Sequence, residues 1–160
     1  MEYIDKIIKL QNLTIVMISI VISIIDIKTY RIPNILLLLL LLLLIFFDFL
    51  KAYNEGCNQG YCFISAHLLS ALIIFTIFFA IFYFVKSMGF GDVKYAAVLS
   101  YGLGLKGIYV AIVVATISGL ALFLIGYFLL GWNKKTKLPF APLLSIGVIF
   151  SIKIGQVISL

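Results

Sequence analysis

Apolar residues in this chain fall into long unbroken runs separated by short polar breaks, not into the alternating or three-four spacing of a half-buried soluble element. The first run extends from about Leu10 to Ile25. The break that follows, Asp26 to Asn34, reads DIKTYRIPN, and its Pro33 suits a helix start, where a missing N–H costs nothing. The second run extends from Ile35 to about Leu50 and contains nine consecutive leucines, Leu36 to Leu44. With no polar face, that tract predicts a lipid-facing wall. After KAYNEGCNQGYC comes a third run, about Phe63 to Val85, and then KSMGFGDVK, Lys86 to Lys94. Tyr95 to Trp132 is too long for one crossing. Its GLGLKG segment, Gly102 to Gly107, predicts a turn between a short fourth span at about 93–105 and a longer fifth at about 107–131. Ala111, Ala115 and Gly119, four residues apart, form a small-residue stripe suited to close helix packing. After NKKTK, Pro139 opens a sixth span to about Ile158. The pattern predicts an all-α polytopic membrane bundle of about six transmembrane helices, a single domain over 1–160.

Composition narrows the class further. Of 160 residues, 64% are hydrophobic and 11% charged, with a mean hydropathy of +1.25. A soluble domain is nearer half apolar and a quarter charged, and disorder needs the reverse bias. At about 20 residues per crossing, no separate soluble domain fits. The net charge of +6 comes without a basic run interleaved with aromatics, so no nucleic-acid partner is expected. The basic residues set topology instead. Lys28, Arg31, Lys86, Lys94, Lys134, Lys135 and Lys137 share one side, seven of the twelve, and that side is expected to be cytoplasmic. Both termini and the Cys57–Cys62 loop then lie outside. Two thiols make no four-ligand zinc site; a disulfide and free thiols both remain open for them. No basic stretch precedes the first run and no A-x-A cleavage site follows it, so it is expected to be retained. No metal or cofactor is expected, and the oligomeric state is unknown.

The chain has six acidic residues. Glu2, Asp5 and Glu55 fall in the N-terminal tail or an outer loop. Asp48, near the outer end of the second span, is expected to reach the headgroups. His67, the only histidine, is expected to be a packed residue rather than a ligand, and Lys153 to snorkel. Asp26 and Asp92 differ, because each abuts a long apolar segment at the same membrane level, where an acid is costly unless it has a use. Two carboxylates brought close share a proton. The ionised partner can take a proton from water while the protonated one hydrogen-bonds a scissile carbonyl. The competing reading pairs each acid with a nearby Lys or Arg. Gly89 and Gly91, just before Asp92, free the backbone for close approach to a neighbouring chain such as an extended peptide substrate.

Three motifs in order, DIKTYRIPN, GFGDVK and PFAP (Pro139 to Pro142), make the chain resemble the type IV prepilin peptidases, the A24-type family of GxGD membrane aspartic proteases. The resemblance spans essentially the whole chain. It implies that Asp26 and Asp92 are the catalytic pair, and that Gly89, Gly91, Lys94, Pro33 and Asn34 support them. It implies a prepilin-like substrate (type IV pilin, pseudopilin or preflagellin precursor) cut between a basic leader and an apolar helix at the cytoplasmic membrane face. Longer relatives carry a cytoplasmic segment with paired cysteines that supports N-methylation of the product. That segment has no counterpart here, so the short peptidase-only form is the nearer likeness and methyltransferase activity is not expected. Two other readings stand beside this one. A small membrane carrier or proton-coupled channel component would use intramembrane acids as a relay. A structural membrane subunit would make both aspartates replaceable.

Overall fold

In a computed structural model, the described residues are 2–55, 57–84, 89–129 and 139–158, with side chains described over 3–54, 64–84, 89–128 and 139–155. They form five helices: α1 Glu2–Thr29, α2 Asn34–Glu55, α3 Cys57–Phe84, α4 Phe90–Leu129 and α5 Phe140–Ile158. No strand occurs among the described residues. Four helices are long and apolar enough to cross a membrane, and α5 adds a shorter apolar stretch, Phe140–Gly155. The protein is a multi-pass membrane helix bundle.

Helix α4 reconciles five helices with six expected crossings. Its 40 residues would stretch about 60 Å if straight, against a hydrocarbon core of about 30 Å. At Gly104 the backbone leaves the helix, with φ 68° and ψ 174°, a conformation essentially confined to glycine. The chain doubles back there. Tyr95 meets Ser145 of α5, and Gly119, 24 residues later, packs on Leu143 of α5. Gly107 lies at the far end of α5, where its carbonyl accepts a hydrogen bond from Ser151 at 2.7 Å. The two halves of α4 therefore run in opposite directions along α5, which makes six helical segments among the described residues. The break sits inside the expected GLGLKG turn, at its middle glycine alone.

The small-residue stripe packs as expected. Ala111 and Ala115 are buried, and a Cβ on Gly147 would fall on the carbonyl of Ala111. Backbone-to-backbone approach of this kind is what small residues permit where lipid removes any hydrophobic drive. The polyleucine tract does not form a uniform wall. Leu37, Leu40 and Leu44 are buried in the core while Leu38, Leu39 and Leu42 face outward. The helical period sorts chemically identical side chains into two faces.

The expected breaks are shorter in the structure. Helix α1 continues past Asp26 and stops where Tyr30 takes a positive φ of 51°, uncommon for a bulky residue; its N–H still reaches the Asp26 carbonyl at 2.8 Å. Helix α2 starts from the Pro33 carbonyl, which accepts from the N–H groups of Leu36 and Leu37. Most of KAYNEGCNQGYC is helical, with α3 starting at Cys57 rather than near Phe63. The Cys57 and Cys62 side chains lie outside the described residues, as do Lys86, Lys134, Lys135 and Lys137, on which the expected orientation rests.

Candidate active site

Asp26 lies in the last turn of α1 and Asp92 in the first turn of α4. The chain reverses between α1 and α2, between α3 and α4, and between the second half of α4 and α5, so three helix ends and three helix starts gather at one end of the bundle. Three contacts fix this assembly. Lys94 Nζ donates to Asn34 Oδ1 at 3.2 Å, joining the starts of α4 and α2. A Cβ on Gly91 would sit 3.2 Å from the Ile32 Cβ, so the start of α4 presses on the loop between α1 and α2. The Ala141 N–H at the start of α5 donates to Asp26 Oδ2 at 3.1 Å.

Each aspartate thus serves a helix N-terminus. The first N–H groups of a helix have no intrahelical acceptor, and carboxylates are favoured there by the helix dipole. Asp26, only 4% exposed, caps α5 from α1. The PFAP segment supplies the donor, because Phe140 begins the helix and the Ala141 N–H lies in its open first turn. Asp92 caps its own helix. The Asp92 N–H donates to the Gly89 carbonyl at 3.1 Å, and the Gly89 N–H donates to Asp92 Oδ2 at 3.2 Å. That reciprocal pair is a capping box with glycine at the cap and aspartate three residues on. A Cβ on Gly89 would come within 3.2 Å of Asp92 Oδ2.

The two carboxylates lie at the same end of the bundle, one in the last turn of α1 and one in the first turn of α4. Among the described residues, neither is paired with a cation. The reading in which each acid merely neutralises a basic neighbour finds no support among those residues. Lys94 turns away, toward Asn34 and over the Phe90 ring at 4.8 Å from its centroid. What the start of α4 meets at Gly91 is the Ile32 side chain. No cluster of three His, Cys, Asp or Glu side chains that could hold a metal ion occurs among the described residues.

One turn deeper lies a group of hydroxyls that the motifs do not include: Ser19 and Ser23 of α1, Tyr95 of α4 and Ser145 of α5, all buried. Their signal in the sequence is spacing. Ser23 precedes Asp26 by three residues, Tyr95 follows Asp92 by three, and Ser145 follows Ala141 by four, each on the face of its motif residue.

At the opposite end, Asp48 contradicts its expected place at the headgroups. It is 0% exposed. Its Oδ1 pairs with Lys51 Nζ at 3.0 Å and its Oδ2 with His67 Nδ1 at 2.7 Å. Lys51, expected in an outer loop, is also buried and donates to Gln11 Oε1. His67 is packed, as expected, with its ring edge-on to Tyr101. Lys153 is exposed.

Neither the curated proteins nor the solved structures compared with this chain gave a match. The sequence pattern of the type IV leader peptidase family, however, matches residues 13–124, more than half of the chain, and spans both aspartates and the Gly89–Lys94 motif. The chain belongs to the type IV leader peptidase family.

Proposed function

We propose that this membrane peptidase is an aspartic endopeptidase that removes the leader peptide from prepilin-like precursors, with Asp26 and Asp92 as its catalytic pair. One observation carries the reading. Two acids from separate helices lie at one end of an apolar bundle, each held, among the described residues, by a backbone N–H and by no cation. With one proton shared, the ionised carboxylate removes a proton from water and the protonated one hydrogen-bonds the scissile carbonyl. The water oxygen bonds to the carbonyl carbon. Collapse of that adduct breaks the C–N bond as the departing nitrogen takes up a proton.

Access fits an amphipathic precursor. A basic leader would approach from the cytoplasmic face, the face the basic residues favour. An apolar groove of about 620 Å³ between α3, the second half of α4 and Phe140 begins beside Ala141 and offers room for the apolar segment that follows the cut. A proton-coupled carrier, the alternative, would need polar groups through the full depth. On α1 the inward stripe Gln11, Ile15, Ser19, Ser23, Asp26 is interrupted by fully buried Ile15. A Cβ on Gly102 would meet Ile15 and Leu44 there at 2.9 and 3.0 Å, so that level is tightly packed with apolar atoms. The test is processing of a co-expressed prepilin by the full chain. The expected result is a shortened product with wild type and none with Asp26→Asn. An unprocessed precursor with wild type at normal membrane levels would sink the reading.

A further inference from the structure

We propose that Tyr95, Ser145 and Ser23 are positioning residues: a buried hydroxyl tie that sets the spacing of the two aspartates from one helical turn below them. The Tyr95 hydroxyl lies 2.9 Å from Ser145 Oγ, and Ser145 Oγ lies 2.7 Å from Ser23 Oγ. The tie therefore joins α4, which carries Asp92, to α1, which carries Asp26, through α5. It also closes on the site itself. Ser145 Oγ is 2.8 Å from the Ala141 carbonyl, and the N–H of that same residue holds Asp26 Oδ2. Ser23 and Ser145 both reach the Ser19 carbonyl, at 2.7 and 3.1 Å.

The surroundings make the tie selective. Tyr95 and its neighbours Val93, Ala96 and Leu99 are fully buried among apolar side chains. A hydroxyl there has no water to turn to if its partner leaves, so the linked arrangement is favoured over nearby alternatives. Gln11–Gly102 and Ser151–Gly107 link the same helices only toward the opposite end of the bundle, which leaves the tie and the Asp26–Ala141 hydrogen bond to fix their rotation at this end. The tie lies one turn from each carboxylate, so a small rotation of α4 against α1 would carry Asp92 away from Asp26. Reaction geometry is sensitive to displacements of about 1 Å.

The role as a positioning device for cleavage rests on the proposed peptidase reading, and the experiment separates the two. Spin labels are placed at exposed Ile27 of α1 and exposed Phe90 of α4, in full-length chain with Cys57 and Cys62 replaced by serine. Their distance distribution is measured for wild type, Tyr95→Phe, Ser23→Ala and Ser145→Ala in lipid. Unlabelled versions are assayed on a prepilin. The expected result is a broadened distribution in the three variants, with kcat down about tenfold and KM unchanged. The Tyr95→Phe/Ser145→Ala double variant should be close to the worse single, because both changes cut one chain. Distributions identical to wild type in the folded variants overturn the tie. Broadened distributions with undiminished kcat overturn its positioning role. A wild-type chain that fails to cut prepilin strikes the peptidase reading alone, since the distance measurement still decides the tie.

Discussion

The bundle buries carboxylates at both ends, and the two ends are built on opposite rules. At one end both oxygens of Asp48 have side-chain partners: the Lys51 ammonium from its own helix and the His67 ring of α3, with Gln11 of α1 accepting from Lys51. Gln11 in turn reaches the Gly102 carbonyl of α4 at 3.5 Å. Four helices converge on a cluster that uses its charges up. At the other end Asp26 and Asp92 are set against each other, with one backbone N–H apiece. A carboxylate with one oxygen on an ammonium and the other hydrogen-bonded to a ring nitrogen is held in place and offers no free oxygen to a substrate. In the proposed reading a pair without cations shares a proton and is thereby ready to move it. Burial does not separate the two kinds of acid, because Asp48 is the more deeply buried. What separates them is what faces the oxygens.

The largest expected effect comes from removing the charge at the end that carries Asp26 and Asp92. Asp26→Asn and Asp92→Asn each keep the shape and the backbone hydrogen bond but cannot exchange the shared proton. Prepilin cleavage should fall by roughly a thousandfold or more in each, and the double variant should be barely worse, since residues acting as one unit give non-additive losses. Membrane levels should stay normal, because the change removes a charge from an apolar setting. Quantified processing at matched protein levels reads both points. Substantial cleavage by either variant would make the two ends alike and remove the basis for the comparison.

The same substitution at the other end should act on stability instead. Asp48→Asn leaves Lys51 buried without its counter-charge, which costs about 3 kcal/mol or more. Each molecule that remains folded should cleave nearly as well as wild type. Removing the pair together, as Asp48→Leu with Lys51→Met, should be less harmful than Asp48→Leu alone, since an apolar replacement leaves no stranded charge. Thermal unfolding in detergent, alongside cleavage per folded molecule, distinguishes the ends. A stable but inactive Asp48→Asn would place Asp48 in the chemistry.

That contrast also marks how far the sequence could be read. The spans were legible because lipid demands long apolar runs, and the turn near Gly104 because glycines and a lysine interrupt one of them. Asp26 and Asp92 stood out by their place at run boundaries beside glycine and proline. Asp48 was misjudged for the same reason, since closeness to a span end does not say which way a helix face points. Its partner His67 lies 19 residues away on another helix, which spacing within one run cannot reveal. The sorting of the leucine tract was hidden because identical residues carry no periodic signal. The Tyr95–Ser145 contact spans 50 residues and rests on the reversal at Gly104; the helical spacing to each aspartate was its only local trace.

Gly104 joins the two ends, since it turns the chain two residues past the Gly102 carbonyl that Gln11 meets. Gly104→Ala should destabilise by about 2 kcal/mol, the strain of a non-glycine residue in that region of φ and ψ. Space is not the cause, as a Cβ there has nothing within 4 Å. Gly155→Ala is the matched control. It is equally open but lies in ordinary helix in α5, so alanine should be neutral or stabilising by up to about 1 kcal/mol. Equal melting temperatures for the two variants would show that the reversal does not depend on the glycine backbone.

The smallest effect belongs to the polar contact at the rim of the catalytic end. Lys94 and Asn34 form one hydrogen bond between the starts of α4 and α2, near enough to water that either partner can be re-solvated. Such a bond contributes about 1 kcal/mol, far less than the buried Asp48 pair. Lys94→Met and Asn34→Ala should each slow cleavage by about fivefold at most, and the double variant should match the worse single, because both remove the same bond. If Lys94 instead donated directly to the substrate or to Asp92, Lys94→Met would cost far more than Asn34→Ala, and the cycle would show no coupling. Steady-state cleavage rates for the four chains decide between a bond that steadies the start of α4 and a cation that belongs to the reaction.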